Sequence, residues 1–293
     1  MNFTAAQTPF GQRLGLVLEG GAIRGIYTAG VLDVLMEHGV QADVVVGVSA
    51  GAIHGCSYVS GQHGRSIRYY RKYRRDKHFM GLYSLLTTGD IVGARFCYED
   101  LPLRLDPFDE EAFEAAPVDF YATVTNLETG RAEYILCDEL RPGSKMDVIR
   151  AGASMPLCSR TVRWNGGLYL DGGVADSIPY ARMAGLGCPK SIVVLTQPAG
   201  YLKRPASMAP FAARYRKYPA FVEAMCRRDQ VYNAEVCAVE QAAAAGDAFL
   251  IRPSRNIHVG RMERDMEVIN AQYELGRRDA AAAMPRLKHW LEE

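Results

Sequence analysis

The chain has 293 residues, 48% of them hydrophobic and 23% charged, which is the balance of a globular protein with a sizeable core. Its 34 Lys and Arg residues against 33 Asp and Glu leave a net charge of +1, which argues against bulk nucleic-acid binding. No apolar run reaches the roughly 18 to 20 residues of a membrane span. The first 15 residues have no cation ahead of an apolar segment, so we expect neither a transmembrane helix nor a signal peptide.

Cysteine usage agrees with this class. Seven cysteines, an odd number, include no CxxC or CxxxC pair, unlike a disulfide framework or a zinc ribbon. We therefore expect buried free thiols, a reducing and hence cytoplasmic location, and neither a metal nor a cofactor.

The first half of the chain alternates short apolar runs with amphipathic stretches. This pattern predicts an α/β fold with a mainly parallel central sheet flanked by helices. We expect a buried strand over 14–18, a helix that ends at Gly39, a second strand over 43–46, and a helix that begins at Ala50.

The middle of the chain predicts more strands. Period-two alternation on both sides of Glu128-Thr129-Gly130 indicates a hairpin. Two further apolar runs, GGLYLDGG and SIVVLTQP, indicate two more strands.

The chain after Pro205 is expected to be mostly helical, with one short strand over 248–252 and two final helices separated near Gly276. We predict a catalytic core over 10–200. A helical C-terminal extension over 201–293 is expected to pack on this core without being an independent domain.

A G-x-S-x-G turn, Gly47-Val48-Ser49-Ala50-Gly51, follows the second predicted strand and opens a helix. This is the arrangement of a nucleophile elbow, in which strained backbone angles project the serine Oγ into a cleft. A close-packed turn with a capping serine is the alternative. The strand, turn and helix context favours the nucleophile.

A second glycine-rich turn, Glu19 to Gly25, also joins a strand to a helix and presents consecutive amides to an anion. A dinucleotide site requires an acidic residue at the end of the second strand, and none is present. An oxyanion hole beside Ser49 is the favoured interpretation. A nucleotide-binding module remains the alternative from another functional class.

The serine needs a base. A Ser-His-Asp esterase or thioesterase would use His258 or His289, because only these histidines occupy the right place in chain order. The other candidate is Asp171, at the end of a predicted strand in an Asp-Gly-Gly turn, with Asp176 as a weaker rival.

Taken together, these three motifs resemble the patatin-like phospholipase family, in order from Gly20 to about Pro179. The resemblance implies a three-layer α/β fold and a serine acyl hydrolase that cleaves lipid carboxylic esters, of phospholipase A or lysophospholipase type, without a metal. It implies that Ser49 is the nucleophile and Asp171 the base. The remaining implied residues are the oxyanion loop Gly20, Gly21, Ala22, Arg24 and Gly25 and the motif glycines Gly47, Gly51, Gly172 and Gly173.

Three positions depart from the family pattern. Ala22 stands in place of the third glycine of the oxyanion loop, so we expect a negative φ there if its amide is to serve as a donor. Gly152 stands where serine is common, and Ser177 where asparagine is common.

The segment Arg65–His78, RSIRYYRKYRRDKH, predicts a basic amphipathic helix. Three interpretations stay open: tyrosines packed on the core under a solvated face, contact with anionic lipid headgroups at the inner membrane surface, or nucleic acid, which we disfavour. Five residues of the C-terminal part offer either an acyl pocket or, as we favour, an ordinary helix core: Met208, Tyr215, Tyr218, Phe221 and Met225.

Overall fold

In the computed structural model, residues 13–293 are described. Residues 1–12 lie outside the described part. They include most of the segment in which we expect no signal peptide and the first three residues of the predicted core. None of the described helices is both long and apolar enough to cross a membrane.

Eight strands of the described chain form one sheet. They are β1 (Leu14–Leu18), β2 (Val44–Val48), β3 (Asp119–Asn126), β4 (Ala132–Leu136), β5 (Val162–Trp164), β6 (Gly167–Asp171), β7 (Lys190–Val194) and β8 (Ala248–Ile251).

Ten α-helices of the same part surround the sheet. They are α1 (Ile26–Glu37), α2 (Ala50–Val59), α3 (Arg65–Tyr73), α4 (Leu82–Thr88), α5 (Glu110–Ala115), α6 (Lys145–Gly152), α7 (Tyr180–Gly185), α8 (Ala209–Arg214), α9 (Pro219–Ala245) and α10 (Met266–Glu292). A π-helix spans Phe96–Leu105, and short 3₁₀ turns span Ala22–Gly25 and Gly172–Val174.

The sheet is mainly parallel, as predicted. Its strand order is β5-β6-β3-β2-β1-β7-β8, with β4 paired to β3. Strands β3, β2, β1, β7 and β8 run parallel, while β4, β6 and β5 form an antiparallel group at the β3 side. The predicted hairpin is the antiparallel β3–β4 pair.

Helices cover both faces of the sheet, which makes three layers. Leu16 of β1 packs with residues of α1, α2, α6 and α10, whereas the adjacent Val17 packs with residues of α7 and α9. All five residues of β1 and of β2 are buried, because both faces of these central strands are covered. This explains why their sequences are continuous apolar runs rather than alternating ones.

The chain after residue 201 shares the sheet and the core. Strand β8 pairs in parallel with β7 at the sheet edge, and α10 packs along α1. These contacts are consistent with an extension that is not independent, although the boundary at residue 200 stays a prediction. All seven cysteines are free, but Cys226 and Cys237 are exposed, so the expectation of buried thiols was wrong for these two.

The expected break near Gly276 was wrong, because α10 is one helix of 27 residues. A Cβ at Gly276 would lie 2.1 Å from the Tyr27 carbonyl oxygen, and a Cβ at Gly30 of α1 would lie 2.2 Å from the Tyr273 carbonyl oxygen. The two glycines therefore let the backbones of α1 and α10 touch. Gly276 marks a helix crossing, and a glycine at a crossing looks the same in sequence as a glycine at a helix end.

Substituting alanine at this crossing tests the packing. In an exposed helix Gly→Ala stabilises by about 1 kcal/mol, but Gly276→Ala is expected to lower the free energy of unfolding by about 1–3 kcal/mol through overpacking. Urea denaturation measures the change. Glu274→Ala, at an exposed position of the same helix, is the control and should change stability by less than about 0.5 kcal/mol. A stabilising Gly276→Ala would contradict the close crossing.

Candidate functional site

Ser49 occupies a strained turn between β2 and α2. Its backbone has φ 54° and ψ −121°, a conformation that non-glycine residues seldom adopt, as the elbow interpretation expects. A Cβ at Gly51 would lie 2.4 Å from the Leu18 carbonyl oxygen, and one at Gly47 would lie 2.4 Å from the Ala52 Cα. Both flanking glycines are thus required by close backbone approach, and the turn holds the buried Ser49 side chain at the end of the sheet.

Asp171 ends β6 and meets this serine. The Ser49 hydroxyl donates a hydrogen bond to Asp171 Oδ2 over 2.7 Å, and the Gly173 amide donates to Oδ1 over 2.8 Å. The Thr125 hydroxyl donates to the Asp171 backbone carbonyl over 2.9 Å. Each carboxylate oxygen therefore has its own donor, and Asp171 is held from both its side chain and its main chain.

Burial raises the pKa of Asp171 above its ordinary 3.8. The Ser49 hydrogen bond, the Arg228 guanidinium and the Gly173 amide act in the opposite direction and favour the carboxylate. A buried carboxylate with a raised pKa is a better proton acceptor than an ordinary surface aspartate.

The glycine-rich loop lies against the elbow. A Cβ at Gly20 would lie 2.9 Å from the Ser49 Cβ, and a Cβ at Gly25 would lie 2.7 Å from the Ala50 Cβ. The amides of Gly20 and Gly21 donate to no described backbone carbonyl, while the Arg24 amide closes the turn on the Gly21 carbonyl over 3.1 Å. The loop thus presents free backbone donors beside the serine.

The expectation of a negative φ at Ala22 was wrong, because its φ is 49°. The close contacts of Gly20 and Gly25 on either side fix the course of the loop, and Ala22 follows the left-handed conformation that a glycine would adopt there. This strain of about 1–2 kcal/mol is the cost of an alanine in that conformation.

The other motif positions lie beside Asp171. A Cβ at Gly172 would lie 2.2 Å from the Thr123 carbonyl oxygen. The Ser177 hydroxyl donates to the Gly173 carbonyl over 3.0 Å, and a Cβ at Gly152 would lie 2.8 Å from the same Thr123 oxygen. The two departures at Gly152 and Ser177 are therefore accommodated within the packing of this turn.

The rival acid and bases lie elsewhere. Asp176 accepts from the Tyr134 hydroxyl and from the Ile178 amide over 3.2 Å. His258 is exposed, and His289 pairs with Glu293 over 3.2 Å. In the described part of the chain, no histidine hydrogen-bonds to Ser49 or Asp171.

The basic segment divides into a buried and an exposed face. Tyr69 and Tyr70 pack in a core cluster, and Arg65 and Arg74 are buried as well. The exposed basic residues are Arg68, Arg71, Lys72, Arg75 and Lys77. The proposed acyl-pocket residues of the C-terminal part pack in another cluster with Leu127 and Leu170, as the helix-core interpretation predicts.

An apolar cavity of about 110 Å³ opens at Ser49 and Ala22. Arg65, its one charged lining residue, is paired with Asp106 over 3.3 Å. Most other lining side chains are aromatic or aliphatic and come from α2, α3, α6 and the segment between α3 and α5, among them Ile53, Tyr69, Phe79, Met80, Tyr98, Leu101 and Ile149.

Sequence reasoning missed this cavity and also Arg228 of α9, whose Nε donates to the Gly173 carbonyl. The cavity wall includes an irregular π-helical stretch with Pro102 inside it, which has no simple periodicity. Arg228 lies 57 positions after Asp171 and carries no motif around it. The tyrosines of the basic segment are the one sequence feature that could have indicated the cavity, because Tyr69 and Tyr70 line it.

Two family models match this chain, one within the predicted core and one within the C-terminal extension. Residues 16–183 match the model of the patatin-like phospholipase family, and residues 218–292 match a domain of unknown function, DUF6363.

Relatives include the uncharacterized protein YjjU of Escherichia coli K12, 30% identical over 193 residues, which are 64% of this chain and 53% of YjjU. The lysophospholipase nte1 of Aspergillus terreus is 30% identical over 201 residues, 62% of this chain and 12% of that protein. The chain thus spans only part of the length of both relatives. Among solved structures, VipD from Legionella pneumophila matches with a TM-score of 0.42 and 13% identity over 94% of this chain and 69% of VipD.

The matched region covers more than half of the chain and contains the elbow, the glycine-rich loop and the Asp-Gly-Gly turn. This chain belongs to the patatin-like phospholipase family.

Proposed function

We propose that the chain is a serine hydrolase of lipid carboxylic esters, of phospholipase A or lysophospholipase type, with Ser49 and Asp171 as a catalytic dyad. The 2.7 Å hydrogen bond between the Ser49 hydroxyl and Asp171 carries this proposal. Its surroundings support it, because the serine faces both a loop of free amides and an apolar cavity. Family membership and the lysophospholipase relative agree with a lipid ester as the substrate.

The proposed reaction has two halves. Asp171 takes the Ser49 proton as Oγ attacks the ester carbonyl, and the free amides of Gly20 and Gly21, with the Ala22–Gly25 turn behind them, stabilise the oxyanion. The tetrahedral intermediate collapses, the alcohol leaves with the proton from Asp171, and an acyl-serine remains. Asp171 then takes a proton from water as its oxygen attacks the acyl carbonyl, and gives this proton to Ser49 Oγ as the fatty acid leaves.

The alternatives are less well supported. A Ser-His-Asp esterase needs an imidazole at the serine, yet Ser49 donates to Asp171, and His258 and His289 do not contact it. A nucleotide-binding module needs room for phosphates at the Gly20–Gly25 loop, yet a Cβ at Gly20 would already meet Ser49.

Substitution of the dyad tests the proposal. Ser49→Ala and Asp171→Asn are each expected to lower kcat for acyl-ester hydrolysis about a thousandfold or more, because the nucleophile and its base act together. A fluorophosphonate probe should label the wild type at Ser49 and leave Ser49→Ala unlabelled.

The control variants His258→Ala and His289→Ala should retain activity near that of the wild type. Loss of activity in either of them, with Asp171→Asn still active, would overturn the dyad. A wild type that neither reacts with the probe nor hydrolyses any of a panel of acyl esters would overturn the enzyme itself.

The pH profile reports on the base. Because Asp171 must be ionised to accept the proton and burial raises its pKa, kcat/KM should fall as the pH decreases through an apparent pKa above 3.8. Arg228 favours the ionised form, so Arg228→Met should move this acidic limb to higher pH. The exposed neighbour Arg227→Met is the control and should leave it in place. An acidic limb that Arg228→Met does not move would contradict Asp171 as the base.

The apolar cavity should set the acyl chain that the enzyme accepts. Val92→Phe narrows it and is expected to lower kcat/KM for a hexadecanoyl ester about tenfold relative to a butanoyl ester, since each buried methylene contributes about 0.8 kcal/mol. Val118→Phe, which adds the same ring at a second cavity lined by α1 and α2, is the matched control. Equal effects of the two variants on chain-length preference would contradict acyl binding in the cavity.

We also propose that Arg65–His78 brings the enzyme to anionic membranes through its exposed cations. Arg71, Lys72, Arg75 and Lys77 are exposed, and none of them forms an ion pair within the described chain. Helix α4 follows directly and exposes Leu82 and Leu86 (64% and 77%). Exposed cations beside exposed leucines are typical of a surface that binds anionic lipids.

Vesicle binding tests this surface. Lys72→Ala with Arg75→Ala should weaken binding to phosphatidylglycerol vesicles about thirtyfold, at about 1 kcal/mol per cation, and rising salt should weaken wild-type binding. The control, Arg216→Ala with Lys217→Ala, removes two exposed cations from the C-terminal part. Salt-independent binding, or an equal loss in the control, would contradict contact through this segment.

A further inference from the structure

Three cations near the dyad have no part in the proposed acyl cavity. They are Arg24 of the glycine-rich loop, Lys203 after β7 and Arg228 of α9, and none of them lines the apolar cavity. Each is only partly exposed, so each is accessible to a ligand while shielded from bulk solvent.

A hydrogen bond brings Arg228 to the Asp171 side of the dyad, and another fixes the main chain of Lys203 to the same helix, α9. Arg228 Nε donates to the carbonyl of Gly173, whose amide donates to Asp171. The Lys203 amide donates to Asn233 Oδ1 over 2.9 Å, and Asn233 lies five residues after Arg228 on α9.

The Lys203 ammonium also lies beside the glycine-rich loop. Its Nζ is 3.7 Å from the centre of the Tyr232 ring, and the Tyr232 hydroxyl donates over 2.9 Å to Glu19, the residue before Gly20. Lys203 therefore lies between α9 and the loop that carries Arg24.

The three side chains repel one another. Burial, together with the Arg228 and Arg24 guanidinium groups, lowers the pKa of Lys203 to about 7, against the opposing effect of the Glu19 and Glu235 carboxylates. Burial also lowers the pKa of Arg228, with Arg24 acting in the same direction. An anion that binds among such cations lowers the electrostatic free energy of the cluster.

No protein carboxylate takes that place. Within residues 13–293, no carboxylate oxygen lies within 4.0 Å of the side-chain nitrogens of Arg24, Lys203 or Arg228. The nearby Glu19 carboxylate accepts from the Thr196 amide over 2.6 Å and from Tyr232 instead.

The donors of the cluster are also free. Lys203 Nζ and the Arg24 guanidinium donate to no other side chain or carbonyl of the described chain, and Arg24 Nε is buried without a partner. Arg228 uses only Nε, so the two other nitrogens of its guanidinium remain available.

We propose that Arg24, Lys203 and Arg228 form a phosphate subsite that holds the headgroup phosphate of a glycerophospholipid while its acyl chain occupies the apolar cavity. This inference rests on the proposed ester hydrolase function and assigns three residues of the chain to the phosphate of its substrate. The ester to be cleaved then lies between the two subsites, at Ser49. Arginine and lysine on a phosphate form charge-assisted hydrogen bonds, which are stronger than neutral ones.

The test compares two substrates with one acyl chain in detergent mixed micelles: 1-palmitoyl-lysophosphatidylcholine and 1-palmitoylglycerol. Both are without net charge, so recruitment of the enzyme to the micelle surface is matched. We expect Lys203→Met to lower the ratio of kcat/KM values, phospholipid over neutral ester, about tenfold. Lys203→Arg should restore most of the ratio, and the exposed control Lys217→Met should retain it.

A second arm separates the headgroup from free phosphate. Inorganic phosphate should inhibit hydrolysis of the lysophospholipid competitively. Activation of 1-palmitoylglycerol hydrolysis by inorganic phosphate would instead indicate an effector site and overturn headgroup binding.

The remaining outcomes are also decisive. An unchanged ratio in Lys203→Met, or equal loss of both activities, would overturn the subsite while leaving the proposed hydrolase intact. Failure of the proposed function appears differently, as a wild type that hydrolyses neither substrate and does not react with a fluorophosphonate at Ser49.

Discussion

The buried hydrogen bond between Ser49 and Asp171 is the constraint to which the rest of the site conforms. Each residue is only 8% exposed, so a misplaced neighbour would leave a buried carboxylate without its donor. Three separate turns must therefore pack closely around this pair. Glycine allows this packing, since a Cβ at Gly20, Gly51 or Gly172 would lie 2.2–2.9 Å from its nearest neighbour.

The sheet register brings these turns together. Val48, the last residue of β2, pairs with Thr123 of β3, and the next residue of β3, Val124, pairs with Asp171 at the end of β6. Strand β3 therefore holds the ends of β2 and β6 next to each other along one of its edges, because β4 pairs along the other edge. On the far side of β2, Leu18 pairs with Gly47, so the glycine-rich turn begins at that level as well. The candidate site therefore forms where three strands end.

Sequence reasoning correctly predicted the strands and turns that carry the candidate motifs. Each motif is an apolar run followed within one or two residues by glycine, which is typical of a buried strand that ends in a tight turn. The sequence predictions were wrong where one local pattern fits two structures, or where contacts with other parts of the chain decide the conformation. Gly276 has the same appearance at a helix end as at a helix crossing, and only Tyr27, about 250 positions away, decides between them. The left-handed conformation of Ala22 likewise follows from neighbours, against its own preference.

The candidate site draws its residues from two parts of the chain, which differ in how firmly the sheet fixes them. Ser49, the glycine-rich loop and Asp171 all lie within 16–183, the region matched by the family model. Lys203 and Arg228 lie beyond it, on a loop and on α9, where no strand register fixes them. The Lys203 side chain makes no hydrogen bond within the described chain, so its substitution moves no backbone turn, whereas a side chain added at one of the glycines would displace the backbone that carries Ser49 or Asp171. Under the proposed mechanism, the C-terminal part is therefore where substrate preference would change while the reaction stays the same.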